Sequence, residues 1–379
     1  MSEMKAVCLC CEVHVPYDVK WYWPEEGYSK VEFENYFDQY KIYSRFEKFV
    51  PHILSINEAL LESMDRGASY TFDISGIFLD QCRLHPAVID SFRDLKNRGA
   101  ELACSPYFHS VASLFPDKME LREQVKMHRM KLKELFKYEP KTFINSELLL
   151  AKDISPIISQ MGFKCYISEG SENLLGKKEP VYVYVNDMPT LLRHIDLSED
   201  IEDRFSDTEW VCYPLIADKF ASWIANMDGD VVTLFFNYGS LIKHHKKQDN
   251  IIRFLIELPK SLQKHGIEMI LPETAVDTFG HEPLETLKTN ATSRYGLHNL
   301  VGNHIQHLYL YELIDIGKML HEIRDSPGYH DLVYVYRCLQ QSEILLEMGP
   351  ENTHLGAERA VNVFSVISDL KRAILEEKK

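Results

Sequence analysis

No apolar run in this sequence approaches the roughly 20 residues that a membrane-spanning helix needs. It has no glycine-rich phosphate loop, which removes the usual signature of nucleotide binding. Helix-borne His-x-x-x-His pairs are absent too, so no metal ion is expected from ligand spacing, and no cofactor. Positive charge is scarce: Lys and Arg number 42 against 57 Asp and Glu, a formal net charge of −15. That balance argues against nucleic acid and anionic membranes as partners, and it suits a neutral ligand such as a sugar. Of eight cysteines, Cys8, Cys10 and Cys11 fall inside one apolar run. Neighbouring strand residues point to opposite faces, so this cluster suits neither a disulfide nor a metal knuckle. Buried reduced thiols in a cytoplasmic protein are the expectation. Met1-Ser2-Glu3-Met4-Lys5 shows no signal-peptide pattern, and the sequon Asn290-Ala291-Thr292 then carries no weight. Nothing marks an oligomer interface.

What is present is the composition of an ordinary folded protein, 45% apolar and 26% charged over 379 residues. That length accommodates one large domain and a smaller one. Ala6 to Val13 is a continuous apolar run, the mark of a strand covered on both faces. Further strands are expected at Ser69–Ile74, Ala100–Cys104, Lys141–Glu147, Lys164–Ile167, Val231–Phe236 and Ile267–Leu271, with two weaker ones near Val181–Val185 and Leu191–His194. Helical patterns separate most of them. Tyr17 to Tyr43 is long and aromatic, including Trp21, Tyr22, Trp23, Tyr28, Tyr36 and Phe37. It reads either as a sugar-stacking lid or as a self-packed excursion. From about Gly280 strand signals nearly vanish. Helices are expected at Leu297–Arg324, Tyr329–Met348 and Ala357–Glu377, with Tyr309, Tyr311, Leu313, Ile316 and Met319 as a core-facing stripe. His244-His245-Lys246-Lys247 reads as a solvated basic loop.

Strands alternating with helices to about residue 275 predict a parallel α/β sheet. About seven such units without a phosphate loop favour a closed or nearly closed barrel. Its strand ends would gather His14, Ser75, His109, Glu147, Glu169, Asn237 and Glu273 on one rim, where barrel enzymes place their chemistry.

Several segments, in order along the chain, resemble glycoside hydrolase family 57, in its α-amylase and α-amylase-like subset. They are Glu12-Val13-His14-Val15-Pro16, Tyr107-Phe108-His109-Ser110, Phe143-Ile144-Asn145-Ser146-Glu147-Leu148, Cys165-Tyr166-Ile167-Ser168-Glu169-Gly170 and Ala217 to Trp223. Gly302-Asn303-His304-Ile305-Gln306 and Leu339-Gln340-Gln341-Ser342-Glu343 are similar to the helical region that leans over the rim. The resemblance implies an incomplete (β/α)7 barrel at 1–278 followed by a C-terminal α-helical bundle at 279–379. It implies α-glucan chemistry with retention of configuration, and Glu147 as the nucleophile. It also implies substrate contacts from His14, His109, Tyr238 and Trp223, while Glu273, at the last expected strand end, either contacts sugar or caps the following helix.

The departures bear on activity. Asn237 stands where the family carries its acid/base Asp, and Gly239 where a further acid is expected. Ile242-Lys243-His244-His245 replaces Gly-Glu-His-Gln, Val15 replaces Gln, and Ser105 replaces a Glu. An amide cannot donate a proton to a glycosidic oxygen, and losing a positioned donor costs about 10²–10⁴ in rate. Three readings follow: a glycosidase of impaired activity, recruiting Asp203, Asp207 or Glu169 as substitute acid; a non-catalytic α-glucan-binding protein; and, behind both, a metal-dependent polysaccharide deacetylase.

Overall fold

The computed structural model describes residues 5–23, 31–247, 250–284, 291–350 and 353–379. Tyr28 of the aromatic loop and Asn290 of the sequon lie outside them. Seven parallel strands form the barrel: β1 (Lys5–Val13), β2 (Thr71–Ile74), β3 (Glu101–Ala103), β4 (Thr142–Ile144), β5 (Cys165–Glu169), β6 (Pro189–Arg193) and β7 (Val231–Asn237). β1 pairs with both β2 and β7, which brings the sheet round. Two seams are thin. β3 meets β4 through one bridge, Cys104 with Phe143, and β6 meets β7 through the single pair Arg193 with Thr233. β8 (Ile267–Met269) pairs only with Lys5–Val7, the amino-terminal end of β1. The architecture is the α/β, incomplete (β/α)7 barrel expected, with helices following it.

Period-two alternation decides what fills the barrel. Ala6, Cys8, Cys10, Ile144, Cys165, Ile167, Leu191 and Phe235 pack together in the lumen. Val7, Leu9, Cys11 and Val13 face outward into the layer of helices. The cysteine cluster is thus split between two faces, and all eight cysteines are free thiols. Carrying the inward phase to the strand ends puts Glu12, Glu169, Arg193 and Asn237 on the inner rim. Sequence periodicity therefore positions half the site.

Pairing with the barrel side continues past residue 279. His281–Pro283 pairs with Val183–Val185, and Ala291–Thr292 with Leu150–Ala151. The helical part then runs through α1 (His304–Glu322), α2 (Tyr329–Cys338), α3 (Ser342–Glu347) and α4 (Thr353–Glu377). α1 begins with a capping box, Asn303 bonding the Gln306 amide and Gln306 bonding back. Tyr309, Leu313 and Ile316 are buried as expected, whereas Tyr311 is exposed, off the buried stripe. These helices share one apolar core with Phe108, Phe143 and Tyr166 of the barrel.

The aromatic loop packs onto the helices. Tyr36 Oη donates to Asp369 at 2.6 Å, the Tyr22 amide to Asn362 at 2.8 Å, and the Tyr17 amide to Gln341 at 2.7 Å. Trp21 and Trp23 remain exposed. His244 is not in a solvated loop. It is buried in the helix Tyr238–Lys246, bonded to Ser206 and to the Glu202 carbonyl.

Candidate active site

A cavity of about 400 Å³ opens at the carboxyl ends of the strands, lined by Glu12, His109, Glu147, Glu202, Asp203, Asn237, Arg294, Tyr295 and Glu343 among others. Glu147 follows β4 and is held in left-handed backbone, φ 54°, as are Leu148 at 51° and His109 at 50°. Such geometry in residues with side chains costs on the order of 1–3 kcal/mol each and persists only where surroundings enforce it. Here the Glu147 carbonyl accepts the Arg294 amide at 2.7 Å, and the Ser342 amide donates to the His109 carbonyl at 3.0 Å. The Glu147 side chain accepts from Ser342 Oγ at 2.8 Å. Burial pushes its carboxyl up; His109 works against that, and Glu12 and Glu343 add to it, leaving it at about 7.

His109 Nε2 donates to Glu12 at 2.8 Å, and its ring stacks on that of His14 with centroids 4.1 Å apart. His14 Nδ1 meets Ser75 Oγ at 2.8 Å, and its Nε2 lies 2.8 Å from Glu343. Two stacked imidazoles do not both carry charge cheaply. Burial lowers His14, whereas Glu343 and Glu12 overcome the burial of His109 and raise it well above its ordinary value. Burial opposes charge on Glu12, but His109 and Arg294 outweigh it and hold the carboxyl at about 2. Burial likewise opposes charge on Glu343, and both histidines hold it well below the usual carboxylate range.

On the other side of the cavity two arginines tie three acids together. Arg193 reaches Glu169 at 3.2 Å and Glu202 at 3.3 Å, and its Nε donates to the Phe235 carbonyl at 2.8 Å. Arg294 pairs with Glu202 and lies 3.5 Å from Glu12. Asn237 closes this network. Its Nδ2 donates to Glu12 at 3.0 Å, its amide to Glu202 at 3.2 Å, and its Oδ1 accepts from the Gly239 amide at 2.6 Å. A second cavity of about 360 Å³ adjoins, lined by Glu169, Arg193, Thr292 and Tyr295, so Tyr295 borders both.

The barrel brings together Glu147, His109, Asn237 and Asp203 at one cavity, with His14 stacked behind His109. Three other expected contacts are placed elsewhere. Glu273 follows β8, which ends at the amino-terminal side of β1, and it pairs with Lys164 at 2.6 Å ahead of β5. Tyr238 is buried beneath the rim, its hydroxyl bonded to Asn57 at 2.6 Å. Trp223 packs against Trp210 and Phe220 in the outer helices. Among the substitute acids, Asp207 does not line the cavity, and Glu169 is bound by Arg193. Sequence reasoning passed over Glu12, Glu202, Arg193, Arg294 and Glu343. Glu12 was legible through its phase with Cys8 and Cys10. Glu343 sat in a quoted motif, without a role.

The profile of glycosyl hydrolase family 57 matches residues 8–288. This chain belongs to glycosyl hydrolase family 57. A Methanocaldococcus jannaschii protein with the provisional name alpha-amylase is 34% identical over 306 residues, 76% of this chain and 65% of that protein. The chain thus spans less than two thirds of that relative's length. A family 57-type branching enzyme of Pyrococcus horikoshii shares the fold, with TM-score 0.68 and 10% identity over 94% of this chain and 88% of that one. An alpha-amylase of Thermotoga maritima gives TM-score 0.61 and 11% identity over 99% and 93%. Arg294, Ser342 and Glu343 lie beyond the residues matched by the family 57 profile, although they complete the cavity. No helix among the described residues is long and apolar enough to cross a membrane.

Proposed function

We propose that this family 57 member is an α-amylase-like glycosidase acting on α-glucan with retention, and that its turnover of ordinary glucan is slow. Glu147 is the nucleophile and forms the covalent glycosyl-enzyme. His109 contacts sugar hydroxyls, and His14 orients His109. The reading rests above all on Asn237, which occupies the acid/base position with both side-chain groups already engaged. It has no proton to give. Asp203, exposed on the cavity wall, is the substitute acid with access to a leaving group. A catalytically silent α-glucan-binding protein is the second reading. Burial favours it by pushing the Glu147 carboxyl up toward its neutral form, which weakens a nucleophile.

The test compares wild type, Glu147→Gln and Asn237→Asp on an activated aryl α-glucoside and on soluble α-glucan. A good leaving group needs little acid help, so the aryl substrate isolates the nucleophile's step. Wild type should cleave it, and Glu147→Gln should abolish cleavage. Asn237→Asp sets a carboxyl about 3.0 Å from Glu12, where the Asn237 amide now sits. Two such acids share a proton, so the new group keeps one to donate. Glucan turnover should then rise about 10²-fold. Silence of all three on both substrates, with glucan still bound, selects the binding protein. Fast glucan cleavage by wild type, damaged in Asn237→Asp, assigns the acid to Asp203.

A further inference from the structure

We propose that the side cavity is a second sugar subsite on the same path as the first. Tyr295, standing between them, stacks on the chain and makes two glucosyl units the shortest ligand held well. The inference rests on the α-glucan reading above and deepens it. The side cavity, about 360 Å³, and the main one, about 400 Å³, each exceed the roughly 300 Å³ at which small-ligand sites begin. Tyr295 lines both and is 50% exposed, so a ligand long enough to fill both passes its ring.

The backbone holds this ring at a cost. Ser293–Gly296 is a tight turn, closed by the Gly296 amide on the Ser293 carbonyl at 3.1 Å. Tyr295 takes its third position at φ 60°, where positive φ calls for glycine or asparagine. A bulky residue there is an outlier that its surroundings must enforce. The Arg294 amide is fixed on the Glu147 carbonyl at 2.7 Å, and Asn299 Nδ2 donates to the Tyr295 carbonyl at 2.9 Å. The buried Arg294 guanidinium lies 4.9 Å from the centre of the Tyr295 ring and 5.9 Å from that of Phe235. One side of the tyrosine is thus backed by a fixed cation, and the exposed remainder is left for a ligand. A half-exposed ring gains too little from burial to explain the strain.

The wall beyond Tyr295 suits a polyol. Ser293 lines the side cavity and is 1% exposed, and its hydroxyl has no hydrogen-bond partner among the described residues. A buried hydroxyl left unpaired points to a group that arrives from the cavity. The Thr292 and Ser171 hydroxyls meet at 2.8 Å on the same wall, and Ile195 and Leu297 add apolar surface. Arg193 is the one Lys or Arg among the lining residues, and Glu169 and Glu202 neutralise it. Hydroxyls and small apolar patches without spare positive charge fit a neutral sugar better than an anion. This turn lies beyond the residues matched by the family 57 profile.

The test is calorimetric binding of glucose and of gluco-oligosaccharides of two to five units, linked α-1,4 and, in parallel, α-1,6. The full-length chain carries Glu147→Gln throughout, so that no ligand is consumed. Affinity should rise about 10-fold or more between glucose and the trisaccharide and then level off. On that background Tyr295→Ala should weaken the trisaccharide about 10-fold and leave glucose within about 2-fold, whereas Tyr295→Phe should keep the trisaccharide bound. Ser293→Ala removes a hydroxyl that the fold does not use. It should cost about 5-fold on the trisaccharide and leave the unfolding midpoint unchanged. Tyr295→Gly relieves the left-handed backbone, so it should not lower the midpoint, yet it should lose as much affinity as Tyr295→Ala. A lowered midpoint in Tyr295→Gly together with lost affinity would make the tyrosine merely structural and overturn the proposal. Affinity that does not grow beyond one unit, or equal losses at every length, would overturn the subsite and leave the glucan reading standing. Absence of binding at every length would overturn both.

Discussion

The two ends of the barrel both bury carboxyl groups, and Glu12 at one end and Glu101 at the other are held in opposite ways. At the carboxyl rim Glu12 sits among His109, Arg294 and Asn237, and those partners keep it ionised despite burial. At the amino-terminal end Glu101, equally buried, has Thr71 at 3.2 Å and, among the described residues, no cation paired with it. Burial pushes its carboxyl up to about 7, only partly offset by hydrogen bonds from Thr142 and Thr71. A buried acid keeps its charge only where cations or donors replace the lost water. The rim is therefore an electrostatic device, whereas the base is a polar spot that tolerates neutrality.

Breaking the rim should have the largest effect. Arg193 is 1% exposed and serves Glu169 and Glu202 together. Arg193→Met leaves both acids without this buried cation and should destabilise the fold by about 3–5 kcal/mol, measured by denaturant unfolding. A loss under about 1 kcal/mol would mean that water reaches this network.

The base should respond to pH in the opposite sense to a salt-bridged acid. Glu101 has a folded-state pKa above its unfolded value of 4.5, so its contribution is present in full below that value. It is lost as pH rises toward about 7. Glu101→Gln should accordingly match wild type near pH 4 and exceed it at pH 8 by on the order of 2–3 kcal/mol. Unfolding midpoints at the two pH values check this. An equal offset at both would show that the effect is packing.

The smallest effect should come from Glu273, which lies away from the rim and reaches the base only as a minor charge raising Glu101. Its pair with Lys164 is half-exposed and screened by solvent. Glu273→Gln should leave glucan turnover and the unfolding midpoint close to wild type. A tenfold loss of turnover would return Glu273 to the substrate path.

Much of this molecule was legible before folding was considered. The expected strands fall where the structure has them, most within two residues at each end, because buried parallel strands read as apolar runs bounded by polar turns. The same logic explains the error at Glu273. A polar residue after a strand was read as a rim residue, but β8 reaches only the first turn of the barrel beside Lys5–Val7. Strand length and register, which are tertiary quantities, decide which end a residue faces. Tyr238 was misplaced for a related reason: it directly follows the inward-phased Asn237, so its side chain takes the opposite face, among the outer helices.

Sequence by itself determined the alternation that fills the lumen with Cys8, Cys10 and Phe235 and carries Glu12 and Asn237 to the inner rim. That information is local, since side-chain direction follows from backbone period. Only tertiary structure decided that Tyr329–Met348, one helix by pattern, breaks at Leu339–Gln341. There the Gln340 carbonyl accepts the Val111 amide at 2.9 Å, and the Ser342 amide binds the His109 carbonyl. Gln124 meets Gln340, and the Tyr17 amide meets Gln341. Those partners lie more than 200 residues away in sequence, so no local propensity encodes them. They outcompete helical hydrogen bonds because buried amides must be paired somewhere, and the break they enforce starts α3 with Ser342 and Glu343 facing Glu147 and the histidines.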